Sequence, residues 1–191
     1  MKVIISGAQC TGKTTLINTI QPPFDKLVIK EQIRSICKAN PSVGHDLGAN
    51  DLSQEMFFMH YYNILYNREH FISDRGLIDV VAYTKYYVLK GLCDIDTYNA
   101  MADLYKKINH HLRMTDDLPT YIYLPIEFSA KEDGFRCADE DYRRTVDRCL
   151  TEVMSEMHIE PLVLRGSEHT RKRQFEQILN GLAHQDMIKN F

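Results

Sequence analysis

The chain has 191 residues, of which 44% are hydrophobic and 26% charged. This length and composition predict one folded domain over 1–191 and exclude a disordered or fibrous protein. The 23 Lys+Arg against 26 Asp+Glu give a formal charge of -3, which provides no whole-chain electrostatic basis for nucleic-acid binding. No apolar run approaches the about 20 residues that cross a membrane, and five cysteines without a CxxC pair indicate reduced thiols, so we expect a cytoplasmic protein.

Strand and helix patterns alternate along the chain. Strands are predicted at 2–6, 26–31, 70–74, 121–124 and 159–164. Helices are predicted at 13–20, 32–38, 51–67, 77–90, 95–113 and 170–183, and another within 131–158, with Asp51 and Gln54 forming a capping box. The alternation predicts an α/β fold, a five-stranded parallel sheet with helices on both faces.

The first strand runs into a glycine-rich loop. Gly7-x4-Gly12-Lys13-Thr14 fits the pattern G-x-x-x-x-G-K-[ST], with a strand before it and a helix after it. Its glycines let backbone amides point inward at a phosphate group, beside the positive end of the helix dipole. We expect Lys13 to lie along the β- and γ-phosphates and Thr14 to place its hydroxyl on Mg²⁺. The predicted nucleotide-binding residues of the loop are Gly7, Gln9, Cys10, Thr11, Gly12, Lys13, Thr14 and Thr15.

Five segments together resemble the P-loop nucleoside and nucleotide kinases, particularly the branch of nicotinamide riboside kinase domains and that of deoxynucleoside and thymidylate kinases. The segments are GAQCTGKTT, Glu31-x-x-Arg34, Ser73-Asp74-Arg75-Gly76, Asp133-Gly134-Phe135-Arg136 and Leu164-Arg165-Gly166-Ser167. The resemblance spans most of the chain. It implies the three-layer P-loop NTPase fold, a phosphotransferase activity, and ATP and Mg²⁺ as cofactors.

Two residues at the end of the third strand match the kinase pattern. Asp74 resembles the Walker B aspartate, which reaches Mg²⁺ directly or through water. Arg75 resembles the arginine that holds the substrate or the developing charge in deoxynucleoside and thymidylate kinases. The alternative is a surface Asp-Arg pair in a turn.

Glu31 closes the second strand, where the carboxyl ends of parallel strands line the ligand crevice. A carboxylate there can accept the proton of an attacking hydroxyl, which makes Glu31 the predicted general base. Arg34 lies one helical turn further on and is predicted to bind the acceptor. A structural Glu31–Arg34 ion pair is the alternative.

The segment 131–158 is interpreted as a helical lid that carries arginines. Gly134 provides a hinge, and Arg136 with Arg143 or Arg144 is predicted to stabilise the charge on the transferred phosphoryl group. Each arginine can instead balance neighbouring acidic side chains. The apolar stripe of the segment is interpreted as core packing.

Two further groups complete the predicted site. The resemblance implies that Gly166 and Ser167 pack against the adenine base. Tyr61 and Tyr62, on an aromatic helix, are predicted to stack on the acceptor, although aromatic residues at this density are also typical of helix packing.

Three functions remain open from the sequence. The first is a Mg²⁺- and ATP-dependent kinase acting on a nucleoside, a nucleoside monophosphate or a related riboside. The second transfers the phosphoryl group to a hydroxyl of DNA or RNA, against which the acidic charge balance argues. The third is a non-catalytic nucleotide-binding regulator, which needs fewer of the residues Glu31, Asp74 and the lid arginines.

Overall fold

The computed structural model describes residues 1–31, 33, 50–129 and 139–189, with side chains followed to residue 185 in the last helix. In chain order the elements are β1 (Lys2–Ser6), α1 (Lys13–Ile17), β2 (Val28–Ile29), α2 (Asp51–Tyr66), β3 (Phe71–Asp74), α3 (Leu77–Leu89), α4 (Ile95–Met114), β4 (Thr120–Tyr123), α5 (Glu140–Glu156), β5 (Leu162–Val163) and α6 (Glu168–Lys189). A 3₁₀ turn at Phe24–Leu27 precedes β2.

The strands form one parallel sheet in the order β2-β3-β1-β4-β5. In its centre, Val3 of β1 pairs with Ile72 of β3 on one side and with Thr120 of β4 on the other. Parallel strands need long crossovers, which the helices supply. The predicted five-stranded parallel α/β fold is confirmed.

Side chains of β1 alternate between the two faces of the sheet, as the period of a strand requires. Ile4 packs into a large core with buried residues of α2, α3, α4 and α5. Val3 and Ile5 pack into a smaller core, which α1 and α6 complete through Leu16 and Phe175. The sheet therefore has helices on both faces, as predicted.

Several boundaries differ from the predictions for local reasons. The second strand covers only Val28–Ile29, since the preceding residues form the 3₁₀ turn, and β5 begins after Pro161, which lacks a backbone N–H. The capping box at Asp51 is wrong, because Asn50 caps α2 by accepting a hydrogen bond from the Ser53 amide at 3.0 Å. Of the predicted helix at 32–38 the structure describes only residue 33, which is helical, and the hinge Gly134 lies outside the described residues.

Helix α5 forms the described half of the predicted lid segment. Its buried side chains face α3 and the large core, as the apolar stripe predicted: Val146, Cys149, Leu150, Val153 and Met154. This face holds the helix against the body of the domain. In the part of the chain that the structure describes, no helix combines the length and the apolar character needed to cross a membrane.

Candidate functional site

A cavity of about 550 Å³ opens at the carboxyl ends of the strands. The chain segments that follow β1, β2, β3, β4 and β5 all contribute to its wall. The described lining residues are Gln9, Cys10, Thr11, Gly12, Lys13, Thr14, Thr15, Leu16, Thr19, Glu31, Asp74, Arg75, Phe128, Ser129, Ser167, Glu168, Arg171 and Lys172. Ligands bind at this edge in open α/β sheets, so we treat the cavity as the candidate site.

The glycine-rich loop needs glycine at both ends of its motif. Gly7 has a φ of +154°, and a Cβ there would lie 2.6 Å from the Leu124 carbonyl oxygen. Gly12, with a φ of +92°, is the residue just before α1. A side chain at either position would be strained, which explains the spacing of the two glycines.

Lys13 is 5% exposed and lies inside the curl of the loop. Its ammonium donates to the carbonyl oxygens of Gly7 and Ala8, both at 2.7 Å. The cation is thereby held among backbone groups at the floor of the cavity. A phosphate chain in the loop would meet this charge.

Thr14 and Asp74 bring two oxygen donors together from different elements. The Thr14 hydroxyl donates to Asp74 Oδ2 at 3.0 Å. Asp74 is 2% exposed, and its other oxygen, Oδ1, has no hydrogen-bond partner within the described ranges. Because Mg²⁺ prefers hard oxygen ligands and a buried carboxylate oxygen needs a partner, this pair fits a magnesium ion.

Arg75 lies against an aromatic ring at the end of β3. Its guanidinium donates to the Tyr83 hydroxyl at 3.2 Å and sits 4.9 Å from the centre of the Tyr83 ring. The same hydroxyl donates to Gln9 Oε1 at 3.4 Å. Tyr83 thus joins Arg75 to the phosphate loop.

Behind Arg75, the buried Asp79 connects the site to β1. Its Oδ2 accepts hydrogen bonds from the Ser6 hydroxyl at 2.8 Å and the Gly76 amide at 3.0 Å, and Oδ1 lies 3.7 Å from Arg75. Burial raises the pKa of Asp79, while Arg75 and Lys13 oppose that shift. The carboxylate anchors the turn that carries Arg75.

Glu31 lines the cavity and is half-buried. Its Oε1 accepts a hydrogen bond from the Ile33 amide at 2.7 Å, which orients the carboxylate at the end of β2. The structure thus places Glu31 in the same cavity as Arg75 and Lys13. Arg34 and Arg136 lie outside the described residues.

Tyr61 and Tyr62 do not line the described part of the cavity. Tyr61 is 0% exposed, and its hydroxyl donates to the Asp74 carbonyl oxygen at 3.3 Å. It has no surface on which a ligand could stack, so its prediction as a substrate-binding residue is wrong. Tyr62, on the outer face of α2, stacks on Tyr66 with ring centres 5.6 Å apart.

The two predicted arginines of α5 have different positions. Arg143 is 0% exposed and donates to the carbonyl oxygens of Gln9 at 3.2 Å, Cys10 at 3.4 Å and Phe128 at 3.0 Å. It is not among the described residues that line the cavity, so in this structure its guanidinium contacts the phosphate loop from outside the described lining. Arg144 is exposed, because consecutive helical residues point about 100° apart.

An ion pair between Arg171 and Glu127 joins the loop after β5 to the phosphate loop. Arg171 is 3% exposed and donates to Thr11 O at 2.6 Å and Glu127 Oε2 at 2.8 Å. The same carboxylate oxygen accepts from the Gly166 amide at 2.7 Å, and the Arg171 hydrogen bond lowers the pKa of Glu127. Ser167 lines the cavity, whereas Gly166 contributes this backbone contact.

Comparison with known proteins places the chain in a family. The sequence matches the AAA domain family over residues 2–171. No curated protein matches the chain. A match over most of the chain establishes family membership, while solved structures bear on the fold.

Three solved structures, one of them a deoxyadenosine kinase, share the fold. Deoxyadenosine kinase from M. mycoides, with products dCMP and dCDP bound, has a TM-score of 0.64 and 18% identity over 95% of this chain and 100% of its own. The NadR protein in complex with NR has a TM-score of 0.65 and 18% identity over 87% of this chain, which spans 46% of the NadR chain. The YorR protein from Bacillus subtilis, in complex with phosphorylated GDP, has a TM-score of 0.57 and 16% identity over 95% of this chain and 97% of its own.

At these identities the likeness concerns the fold alone, and at that level it confirms the predicted resemblance to nucleoside kinases. The chain belongs to the AAA domain family, and it shares its α/β fold with the deoxyadenosine kinase structure.

Proposed function

We propose that the protein is a Mg²⁺- and ATP-dependent kinase that transfers the γ-phosphoryl group to a nucleoside, a nucleoside monophosphate or a related riboside. The observation that carries the proposal is one cavity lined by Lys13, the Thr14–Asp74 pair, Glu31 and Arg75. A nucleotide-binding regulator needs the first three of these residues, but it does not need a second carboxylate, that of Glu31, in the same cavity.

The phosphate loop would hold the triphosphate through its backbone amides, with Lys13 as the nearest side-chain cation. Thr14 and Asp74 would hold the magnesium ion, which neutralises charge on the phosphate oxygens when bound. Lys13 and Thr14 begin the helix after the loop, and Asp74 ends β3. All three line the cavity, so they can contact one bound triphosphate and its metal ion.

At the other end, Glu31 would accept the proton of the acceptor hydroxyl as its oxygen bonds to the γ-phosphorus. The bond between that phosphorus and the β–γ bridging oxygen breaks, and ADP leaves with the electron pair. Arg75, held by Tyr83, lies where a cation can orient the acceptor or the developing charge. Glu31 and Arg75 follow neighbouring strands, so both meet the same ligand.

The solved structures with this fold support the class of acceptor. The M. mycoides deoxyadenosine kinase structures hold dCMP and dCDP, dCTP or dATP, and NadR was solved with NR. Each of these ligands contains a ribose or a deoxyribose. We therefore propose a riboside or deoxyriboside acceptor for this cavity.

A product screen tests the proposal. Purified protein is incubated with labelled ATP, Mg²⁺ and panels of ribosides, deoxyribosides and their monophosphates, beside the Lys13→Ala variant and the exposed-residue control Lys107→Ala. We expect transfer to at least one compound, reduced about 10²–10³-fold by Lys13→Ala, the order found for removing one donor to developing charge. Lys107→Ala should retain the full rate.

Two outcomes of the screen would contradict the proposal or change its acceptor. If no compound is phosphorylated above the Lys13→Ala background while the wild-type protein is folded, the kinase proposal is wrong. Salt-dependent retention of DNA together with transfer to its hydroxyl ends would replace the small acceptor by nucleic acid.

A further inference from the structure

Three consecutive carbonyl groups of the phosphate loop accept hydrogen bonds from two arginines on different helices. Arg143 of α5 donates to the carbonyl oxygens of Gln9 and Cys10, and Arg171 of α6 donates to that of Thr11. The sequence separations are 134, 133 and 160 residues. Two distant parts of the chain thus donate hydrogen bonds to the carbonyl oxygens of one short loop.

Both arginines are rigidly held. Arg143 and Arg171 are 0% and 3% exposed, and each also donates to a backbone carbonyl in the segment after β4, that of Phe128 at 3.0 Å and that of Pro125 at 3.2 Å. Carboxylates complete the two sites, Glu140 beside Arg143 and Glu127 beside Arg171. A planar guanidinium with several fixed partners has little freedom to swing into the cavity.

These hydrogen bonds, together with the geometry of the peptide bond, predict the direction in which the loop's amide groups point. Because the peptide unit is planar and trans, the C=O of one residue and the N–H of the next point in opposite directions. Carbonyls of Gln9, Cys10 and Thr11 that face the arginines direct the amides of Cys10, Thr11 and Gly12 away from them. Successive backbone amides that face a common point form an anion-binding concavity, and the two arginines set the direction of three amides of this loop.

We propose that Arg143 and Arg171 are positioning residues that hold the phosphate loop in its anion-binding shape before the nucleotide arrives. They act on the loop through its backbone oxygens. Arg143 is not among the described lining residues, and Arg171, which lines the cavity, has its guanidinium bonded to Thr11, Pro125 and Glu127. The consequence for nucleotide affinity rests on the proposed function, whereas the consequence for the shape of the loop does not.

The shape of the loop is tested without any ligand through the thiol of Cys10, which is half-buried at the rim. Its alkylation by iodoacetamide is followed by peptide mass spectrometry in wild type and in Arg143→Lys and Arg171→Lys, which keep a charge and an aliphatic stem in the buried site. We expect Cys10 to react about fivefold faster in both variants, the order for losing one or two hydrogen bonds. Arg148→Lys, on α5 with an exposed side chain, is the matched control and should react like wild type.

A second measurement uses ATP with Mg²⁺ and calorimetry. We expect both lysine variants to bind about tenfold more weakly than wild type, because lysine lacks the fork that reaches several carbonyls. An Arg143→Lys protein that binds ATP normally but turns over at least about 100-fold more slowly would overturn the proposal, since that pattern belongs to a contact made only in the transition state.

The two measurements separate the inference from the function. If the wild-type protein binds no triphosphate, the proposed kinase function is wrong. Faster Cys10 alkylation in the variants would still support the role of Arg143 and Arg171 in holding the loop. Unchanged Cys10 alkylation in both variants would overturn the proposal that Arg143 and Arg171 hold the loop, whether or not the protein binds a nucleotide.

Discussion

The two ends of the cavity are built in different ways. At the phosphate end, Lys13 is held by loop carbonyls and the loop itself by its glycines and by arginines on backbone oxygens. At the proposed acceptor end, Glu31 and Arg75 line the cavity with their side chains, and Tyr83 of α3 contacts Arg75 without being among the described lining residues. If the proposed function is right, the difference means that phosphate recognition depends on backbone shape, while acceptor recognition depends on which side chains are present.

Gln9 connects the two ends. Its backbone oxygen accepts from Arg143, and its side-chain Oε1 accepts from the Tyr83 hydroxyl. A change at one end can therefore reach the other through this residue. Substitutions at the acceptor end should alter acceptor use with little effect on ATP, and this expectation can be broken experimentally.

The largest effect is expected from Glu31→Gln. Removing the proton acceptor should lower kcat about 10³-fold, within the range for general-base catalysis, and should leave ATP affinity nearly unchanged because Glu31 lies beyond the phosphate loop. Steady-state rates with the acceptor found in the product screen, with ATP affinity from calorimetry, measure both quantities.

Glu69→Gln, at a side chain 90% exposed, provides the control for this charge change and should behave like wild type. Full turnover by Glu31→Gln would remove Glu31 from the reaction. It would leave the structural Glu31–Arg34 pair as the better interpretation.

A smaller effect is expected from Asp74→Asn at the phosphate end. The amide keeps the size of the side chain but loses the negative charge for the cation, so the Mg²⁺ concentration for half-maximal rate should rise about 100-fold, the order of a strongly perturbed metal site. Rates across a Mg²⁺ titration test this, with Asp103→Asn on the surface of α4 as the control. An unchanged Mg²⁺ requirement would argue against Asp74 as a metal ligand.

Features that depend on local sequence could be predicted, whereas contacts between distant segments could not. The fold and the phosphate loop could be predicted because strand–helix alternation and the spacing of Gly7, Gly12 and Lys13 are local properties. Glu31 followed from one added rule, that strand ends share an edge of the sheet, and Asp74 followed from the resemblance to the kinase pattern. None of these inferences required knowledge of how distant helices pack.

The remaining site residues depend on that packing. The Tyr83 hydroxyl meets Gln9 across 74 residues, and Arg171 meets Thr11 across 160. Helix α2 carries aromatic residues on more than one face, so its pattern could not show that Tyr61 is buried and Tyr62 exposed. A single sequence contains no signal for such contacts beyond the residue types themselves.

The smallest effect is expected from Tyr83→Phe, which tests whether the acceptor end works through side-chain hydrogen bonds. Phenylalanine keeps the ring beneath the Arg75 guanidinium, at 4.9 Å, but loses the hydroxyl contacts to Arg75 and Gln9. Since a net hydrogen bond contributes about 1 kcal/mol, the acceptor KM should rise about fivefold while the ATP KM stays unchanged. Tyr98→Phe, which removes a surface hydroxyl bonded to Glu156 at 3.1 Å, is the control. A rise in the ATP KM instead would mean that Tyr83 acts through Gln9 on the phosphate loop, and the two ends would then have to be treated as one site.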